Sequence, residues 1–183
     1  EDFETPDTRF FSGYYLTVSR TNASDYVQRG HYAGKLDYVL PEDTGYYSQA
    51  MAGSFSNLQT PYTALNLWVY GDGSGNILSL LYNDGAAGYQ SLQVTPLDFT
   101  GWKQVTVTLP GAHFEIQGLQ VSATTAADGT VSVGDKLSGT IYIDHITATA
   151  SGTPDNAAPV VSASLDNSLW QVTASVADAV NGI

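Results

Sequence analysis

Segment 63–84, TALNLWVYGDGSGNILSLLYND, constrains the fold more than any other part of the sequence. Over residues 65–70, aliphatic residues occupy the odd positions and polar or aromatic residues the even ones: Leu65, Leu67 and Val69 against Asn66, Trp68 and Tyr70. Because successive side chains of a strand point to opposite faces of a sheet, this alternation predicts a strand with an aliphatic inner face and an aromatic outer face. Residues 71–76 are rich in Gly, so we expect the chain to reverse there and residues 77–82 to return as the second strand of a hairpin.

Strand-like runs of this kind recur along residues 1–150, separated by Gly, Pro, Asn and Asp. The 12 Tyr and 6 Phe favour strands over helices, and helical spacing is not sustained anywhere. We count about ten strands at turn spacings typical of a sandwich. The sequence therefore predicts an all-β fold, a two-sheet antiparallel β-sandwich of the jelly-roll type. Asp2-Phe3-Glu4 is predicted as a short first strand with Phe3 facing the interior.

The composition shifts after Ala150. Residues 151–159 have the Pro, Gly and small polar residues of a linker. Residues 160–183 contain two strand-like runs, but roughly 25 residues cannot bury a core of their own. We therefore expect a sandwich domain over 1–150, and over 160–183 either the truncated start of another domain or an appended β-hairpin. The opening residues do not form a signal peptide, which suggests a module excised from a longer chain.

The charge balance excludes several partners. Six Lys and Arg stand against 18 Asp and Glu, which gives a net charge of -12. Nucleic acids and anionic lipid surfaces would be repelled, because binding to phosphates depends on Lys and Arg releasing counterions. No apolar run is long enough to span a membrane. We therefore expect no nucleic-acid partner and no membrane insertion, and we expect a monomer.

Catalytic motifs are missing from the sequence. The three His are widely separated, and neither G-x-S-x-G nor H-E-x-x-H occurs. The adjacent acids Glu42 and Asp43 fall in a predicted turn, where solvated carboxylates are common. The chain also has no Cys, which excludes disulfides and thiolate metal sites. We predict that the protein is not an enzyme.

Aromatic rings and amides on one sheet face have the chemistry to bind a sugar if that face is the exposed one. Sugars stack their C–H patches on aromatic faces and bond planar polar groups with their hydroxyls. The candidate ligand-binding residues are Trp68 and Tyr70, with Asn66 between them and Tyr82 and Tyr89 on adjacent strands. A one-residue slip in register would bury these rings instead. Tyr14-Tyr15 and Tyr46-Tyr47 each place one ring in and one out and are rival platforms, and Trp102 is predicted to plug the core.

Acidic residues at the two ends of the domain are candidate metal ligands. Calcium takes 6 to 8 oxygen ligands, several of them from carboxylates. Asp2, Glu4 and Asp144 could supply the charged oxygens if the first and last strands are neighbours. Alternatively, these acids lie on a sheet edge and protect it against pairing with another strand.

The order of several motifs resembles the jelly-roll carbohydrate-binding modules of bacterial extracellular glycosidases. The matching motifs within residues 1–150 are Asp2-Phe3-Glu4, Gly34-Lys35-Leu36, residues 65–74, residues 101–107 and residues 139–146. The resemblance implies a jelly roll of the galactose-binding-like type and a non-catalytic, glycan-binding role. It further implies a multidomain bacterial protein, secreted or at the cell surface, in which the module targets an attached glycosidase to polysaccharide. A non-binding spacer that positions neighbouring domains is the alternative.

The same resemblance implies a structural calcium ion that ties the opening strand to the closing one. Carried over residue by residue, Glu4 and Asp144 are carboxylate ligands, Asp2 is a third, and the carbonyl of Lys35 is a loop ligand. His145 departs from the pattern, because a second Asp is often found at that position. Residues 160–183 are similar to the start of a bacterial immunoglobulin-like domain.

Overall fold

The computed structural model describes residues 1–7, 9–52, 62–83, 89–110, 115–125, 131–132, 136–149, 160–166 and 171–177. Contacts divide the chain into two units, Glu1–Thr153 and Pro154–Ile183. The predicted linker, 151–159, lies outside the described residues. In the second unit, strands Val160–Asp166 and Gln171–Ala177 form an antiparallel pair, and their interpretation as an immunoglobulin-like start or a hairpin stays a prediction.

The first unit is built from short strands. In chain order they are β1 (Phe10–Phe11), β2 (Leu16–Thr21), β3 (Ala33–Val39), β4 (Tyr47–Ala52), β5 (Ala64–Asp72), β6 (Ile77–Asn83), β7 (Tyr89–Pro96), β8 (Thr100–Thr108), β9 (Glu115–Ser122), β10 (Thr124–Thr125), β11 (Val131–Ser132) and β12 (Ser138–Thr149). Two single-turn 3-10 helices, Ser24–Tyr26 and Glu42–Thr44, complete the described elements. Among the described residues, no helix has the length and apolarity needed to cross a membrane.

Two five-stranded sheets form the sandwich. The first sheet has the order β1-β4-β9-β6-β7 and the second sheet the order β2-β3-β12-β5-β8. Their strands pair antiparallel throughout, and β10 and β11 form a small separate pair. The predicted all-β, two-sheet jelly-roll sandwich is therefore confirmed.

The predicted hairpin over residues 63–84 is wrong. Strand β5 pairs with β12 and β8 in the second sheet, whereas β6 pairs with β9 and β7 in the first. Residues 71–76 therefore cross from one sheet to the other, with Gly73 and Gly75 at φ of 69° and 75°. The side chain of Asn76 is buried in this crossing and donates to the hydroxyl of Tyr38 at 3.1 Å. Alternation predicted the strands correctly but could not predict their partners.

The core lies between the two sheets and draws residues from both. Leu65, Leu67 and Val69 belong to it, so the predicted inner face of β5 is confirmed. Phe3 is also fully buried there, as predicted, with its ring centroid 6.5 Å from that of Phe10. Residues 2–4 are nevertheless not a strand, because Phe3 has a φ of 60°.

Candidate functional site

Polar side chains form a row across the outer face of the first sheet. The register places one residue each of β4, β9, β6 and β7 side by side: Gln49, Gln120, Ser79 and Gln93. Their sequence neighbours on the two central strands, including Leu119, Val121 and Leu80, are buried in the core. Side chains alternate along a strand, so the row faces away from the core. Ser79 is nevertheless buried within it, so the three glutamines supply its accessible polar groups. Three interstrand steps of about 4.8 Å give it a length of about 14 Å.

Three tyrosines stand at the β4 end of this row. Tyr47 is two residues before Gln49 on the same strand, and its ring centroid is 6.2 Å from that of Tyr14. The rings of Tyr14 and Tyr15 meet edge to face at 4.7 Å. Both remain about half exposed, at 51% and 45%. The backbone fixes them beside the row, because the Tyr14 carbonyl accepts the N–H of Gln49 at 2.7 Å.

We call these residues the tyrosine–glutamine face: Tyr14, Tyr15, Tyr47, Gln49, Ser79, Gln93 and Gln120. Partial desolvation, together with the electrostatic influence of the nearby Asp43, raises the pKa of Tyr14. Each Gln carries two N–H donors and one carbonyl acceptor. The face therefore offers half-exposed rings for stacking and uncharged donors and acceptors for hydroxyl groups.

Sequence reasoning placed the preferred ligand platform on β5 and named Tyr14-Tyr15 and Tyr46-Tyr47 as rival platforms. The structure exposes both Tyr14 and Tyr15, so the prediction of one ring in and one out is wrong for that pair. The structure confirms that Trp68 and Tyr70 point away from the core: both are half-buried on the outer face of the second sheet, opposite the tyrosine–glutamine face. Tyr82 and Tyr89 do not join them, because β6 and β7 belong to the first sheet. Tyr82 packs against the core, and only the backbone of Tyr89 is described. The five predicted residues therefore do not form one site.

Tyr70 lies inside a cluster of rings that contact each other. Its centroid is 5.1 to 5.7 Å from those of Tyr26, Trp102 and Tyr142, at interplanar angles of 81° to 89°. Tyr26 in turn stacks on Tyr142 at 4.2 Å and 9°. We call these four residues the outer aromatic cluster. Because the four rings pack against one another, they cover part of each other's surface, and less aromatic surface is left for a ligand.

Two residues near this cluster differ from their predicted roles. Trp102 is on the outer face of β8 opposite Tyr70 and does not plug the core. The alternation of β8 explains this, because Val107 and Val105 face the core and an even-numbered residue points outward. Asn66 is buried, accepts the Thr106 hydroxyl at 2.7 Å and donates to the Thr149 hydroxyl at 3.3 Å. Its amide ties three strands together and is not available to a ligand.

The predicted metal ligands Glu4 and Asp144 lie near each other at one corner of the sandwich. Ile146, two residues after Asp144, donates its N–H to the carbonyl of Glu1 at 2.8 Å, so the two ends of the domain are adjacent. Glu4 Oε1 accepts the N–H groups of His31 and Tyr32 at 2.8 and 3.0 Å. These two bonds lower the pKa of Glu4, and the carboxylate is therefore ionised at neutral pH.

Asp144 is fully buried and only partly satisfied. Its Oδ2 accepts the N–H groups of Gln28 and Arg29 at 3.0 and 2.9 Å, whereas Oδ1 has no partner among the described residues. Burial raises the pKa of Asp144, and the charge of Glu4 raises it further, whereas the backbone N–H groups of Arg29, Gln28 and His145 lower it. A cation bound to Oδ1 would satisfy this oxygen and offset the repulsion between the carboxylates of Asp144 and Glu4.

The remaining predicted ligands contribute unequally. Asp2 uses Oδ1 to accept the N–H of Glu4 at 3.1 Å and so lies at the same corner. The backbone of Lys35 pairs with Ser19 and Tyr142 within the second sheet, and its ammonium donates to Asp37 at 2.8 Å; a ligand role for its carbonyl stays a prediction. Among the described residues, no group of three His, Cys, Asp or Glu side chains is arranged to hold a metal ion. A cation here would need backbone carbonyls or water as well as Glu4 and Asp144.

Backbone strain marks the same two regions. Among the described residues, four that are not glycine have a positive φ: Phe3, Tyr15, Tyr46 and His145. Two of them adjoin Glu4 and Asp144, and the other two adjoin Tyr14 and Tyr47. Such conformations cost about 1–3 kcal/mol each and cluster at functional sites. Strain therefore supports the acidic corner and the tyrosine–glutamine face independently of their side-chain chemistry.

Comparison with known proteins identifies the class of fold. No protein-family model matches the chain, and no curated protein matches it. Solved structures do match. One, described as the structural basis for the promiscuous specificity of carbohydrate-binding modules of the β-sandwich superfamily, shares 19% identity at a TM-score of 0.51. The match covers 81% of this chain and only 60% of that one.

A second similar structure is the family 11 carbohydrate-binding module from Clostridium thermocellum in complex with a β-1,3-1,4-mixed-linked tetrasaccharide. It shares 15% identity at a TM-score of 0.51, over 81% of this chain and 92% of that one. Another, the family 11 module of a cellulosomal cellulase of the same organism, shares 15% identity at a TM-score of 0.50 over 80% and 90%. The first unit therefore has the β-sandwich fold of carbohydrate-binding modules.

Proposed function

We propose that the first unit is a non-catalytic glycan-binding module and that the tyrosine–glutamine face holds the glycan. One observation carries this proposal: half-exposed tyrosine rings stand at the end of a row of uncharged amides on the outer face of the first sheet. Rings stack on the C–H patches of sugars, and amides bond their hydroxyls. The described residues of the row carry no charge, which suits a neutral chain.

Several structural features favour this face over the outer aromatic cluster predicted from sequence. Tyr14 and Tyr15 are about half exposed, whereas Tyr142 is buried beneath Tyr26. The first face combines rings with amides, whereas the second combines rings mainly with each other. The mutual packing of the cluster suits a structural layer that positions the module beside its neighbours, and this is the observation that favours the spacer as the second candidate.

We further propose a structural calcium ion at the acidic corner. The donor set fits a hard cation, since Oδ1 of the buried Asp144 has no partner and Glu4 lies close enough to raise its pKa. Glu4 and Asp144 would bind it directly, with Asp2 next to them, and backbone carbonyls and water would complete the shell. Bound there, calcium would neutralise two carboxylates and tie residues 1–4 to the end of β12.

The wider context follows by analogy with the similar structures. We propose a secreted or surface-exposed bacterial protein of several domains, in which this module keeps an attached glycosidase close to its polysaccharide. Tethering raises the effective concentration of the enzyme without any new contact in its active site. A glycan-binding module needs no catalytic residues of its own.

Affinity electrophoresis and titration calorimetry test the glycan proposal. The first probe is mixed-linkage β-1,3-1,4-glucan, the chemistry bound by one similar structure, within a panel of neutral and acidic polysaccharides. Tyr47→Ala and Gln120→Ala should each weaken binding about tenfold or more, as expected when a residue that carries much of the binding energy is truncated. Tyr70→Ala is the matched control, since it removes the same ring from the opposite face.

The outcomes separate the two candidate functions. Loss of binding in Tyr47→Ala with normal binding in Tyr70→Ala supports the proposed face. The reverse pattern would move the site to the outer aromatic cluster. If the unmodified chain binds no member of the panel, the glycan-binding proposal fails and the spacer remains. Thermal unfolding of each variant shows whether it is folded.

A further inference from the structure

Two buried polar side-chain atoms of the described residues have no hydrogen-bond partner: Trp68 Nε1 and Asp144 Oδ1. Leaving such a group unsatisfied costs about 1–3 kcal/mol, so folded proteins contain few of them. An unmatched buried donor and an unmatched buried acceptor each need a partner, which a bound water molecule or ion supplies.

The two atoms belong to one cross-strand pair. Trp68 of β5 lies directly opposite Asp144 of β12. Side chains of directly opposite residues share a face, with Cβ atoms about 4.5–5.5 Å apart. One atom is an obligatory donor and the other an acceptor, yet they form no direct bond. The arrangement suits a small ligand that accepts from the indole N–H and satisfies the carboxylate oxygen.

A water molecule alone could join the two atoms, but it would leave the negative charge of Asp144 beside that of Glu4. A hydrated cation satisfies both requirements. Bound to Oδ1, it offsets the charge, and a water molecule in its shell accepts the indole N–H. Calcium commonly keeps water ligands. Residues that donate hydrogen bonds to the metal's ligands orient them and so change metal affinity.

We infer that Trp68 is a positioning residue of the cation site, its indole N–H donating to a water molecule of the coordination shell while Asp144 Oδ1 binds the cation directly. This inference rests on the proposed calcium site and assigns Trp68 to it instead of to the glycan. It also explains why a half-buried tryptophan on the outer face has a fully buried nitrogen.

Calcium titration of three proteins tests this role. The unmodified chain, Trp68→Phe and Trp102→Phe are stripped with chelator and titrated with calcium in a calorimeter. Trp68→Phe keeps a ring and removes the N–H, and calcium affinity should fall about 10-fold, the lower end for loss of an orienting partner. Trp102→Phe makes the same change on the neighbouring strand β8 and should leave affinity unchanged.

The indole N–H resonances give a second readout. In nitrogen-15 spectra the Trp68 signal, identified by its loss in Trp68→Phe, should move between chelated and calcium-loaded protein, whereas the Trp102 signal should not. Equal calcium affinity in Trp68→Phe and the parent, or a Trp68 signal that ignores calcium, would overturn the inference and indicate a water molecule alone. If the parent binds no calcium, the inference and the proposed cation site both fail, while glycan binding by the same samples is judged separately.

Discussion

Removing calcium should lower the thermal stability of the first unit, and the acidic corner explains why. A cation that binds the native state alone stabilises it by mass action. Without it, the buried Asp144 keeps an unsatisfied Oδ1 and feels the charge of Glu4. Chelation therefore raises the free energy of the native state and leaves the unfolded chain almost unaffected.

The size of the effect follows from the affinity and the length of the chain. Calcium at one hundred times its Kd contributes about 2.7 kcal/mol. For a chain of 150–250 residues, each kcal/mol shifts the midpoint by about 2–4 °C. Chelation should therefore lower the midpoint by about 5–11 °C.

Thermal unfolding followed by circular dichroism, in calcium and in chelator, measures this shift. Asp144→Asn removes the charge that binds the cation and keeps an oxygen for the N–H groups of Gln28 and Arg29. Its midpoint should resemble that of the chelated parent and should not respond to calcium. Asp37→Asn is the control, since Asp37 pairs with Lys35 in the second sheet and should leave the calcium response intact.

The reasoning would be refuted by a midpoint that is the same in calcium and chelator. It would also be refuted by Asp144→Asn with a full calcium response, since the cation would then bind elsewhere. A response lost equally in Asp37→Asn would show that general surface charge, and not the acidic corner, binds the ion.

Three other predictions follow. The backbone N–H bonds lower the pKa of Glu4 from its usual 4.5, so they stabilise the native state above that pH, and this stabilisation is lost as the pH falls. Glu4→Gln should therefore be less stable than the parent in urea at pH 7 and equally stable at acid pH. Gly34→Ala would place a Cβ 2.5 Å from the Phe3 ring and should cost about 1–3 kcal/mol of unfolding free energy, partly recovered by adding Phe3→Leu. Glycan affinity should change little between low and high salt in calorimetry, because an uncharged face releases no counterions; a steep salt dependence would contradict the proposed face.

The sequence predicted strands and their faces better than it predicted partners. The odd and even positions of β5 were assigned correctly because alternation is a local property of the chain. The hairpin was wrong because sheet order is decided by packing across the core, which no window of residues contains. The same reason hid the glutamines that lie beside the rival tyrosines: Gln49, Gln93 and Gln120 become neighbours only through the order β4-β9-β6-β7. The available signal was that Gln93 and Gln120 each stand between two aliphatic residues.

The acidic corner was more accessible to sequence reasoning, because it required only that the ends of the domain meet. The bond between Glu1 and Ile146 shows that they do. Lys35 was assigned to the corner by resemblance alone, and its carbonyl as a ligand stays a prediction. The partner of His145 could not be predicted either: its Nε2 lies 3.1 Å from Arg29 Nη1, on the loop whose N–H groups hold Asp144.

One segment connects the two candidate sites. Residues 1–4 supply Asp2 and Glu4 to the acidic corner, where they lie near Asp144. The buried Phe3 between them stacks on Phe10 at a centroid distance of 6.5 Å. Arg20 donates to the carbonyls of Phe3 and Glu4 at 2.7 and 2.9 Å, and so holds the corner to β2. Phe10 begins β1, which leads directly to Tyr14 and Tyr15. A cation at the corner therefore restrains the segment that carries these two rings, whereas the glutamines, on β4, β9 and β7, are fixed by the sheet itself. Chelation should thus weaken the ring contacts of a glycan more than its amide contacts.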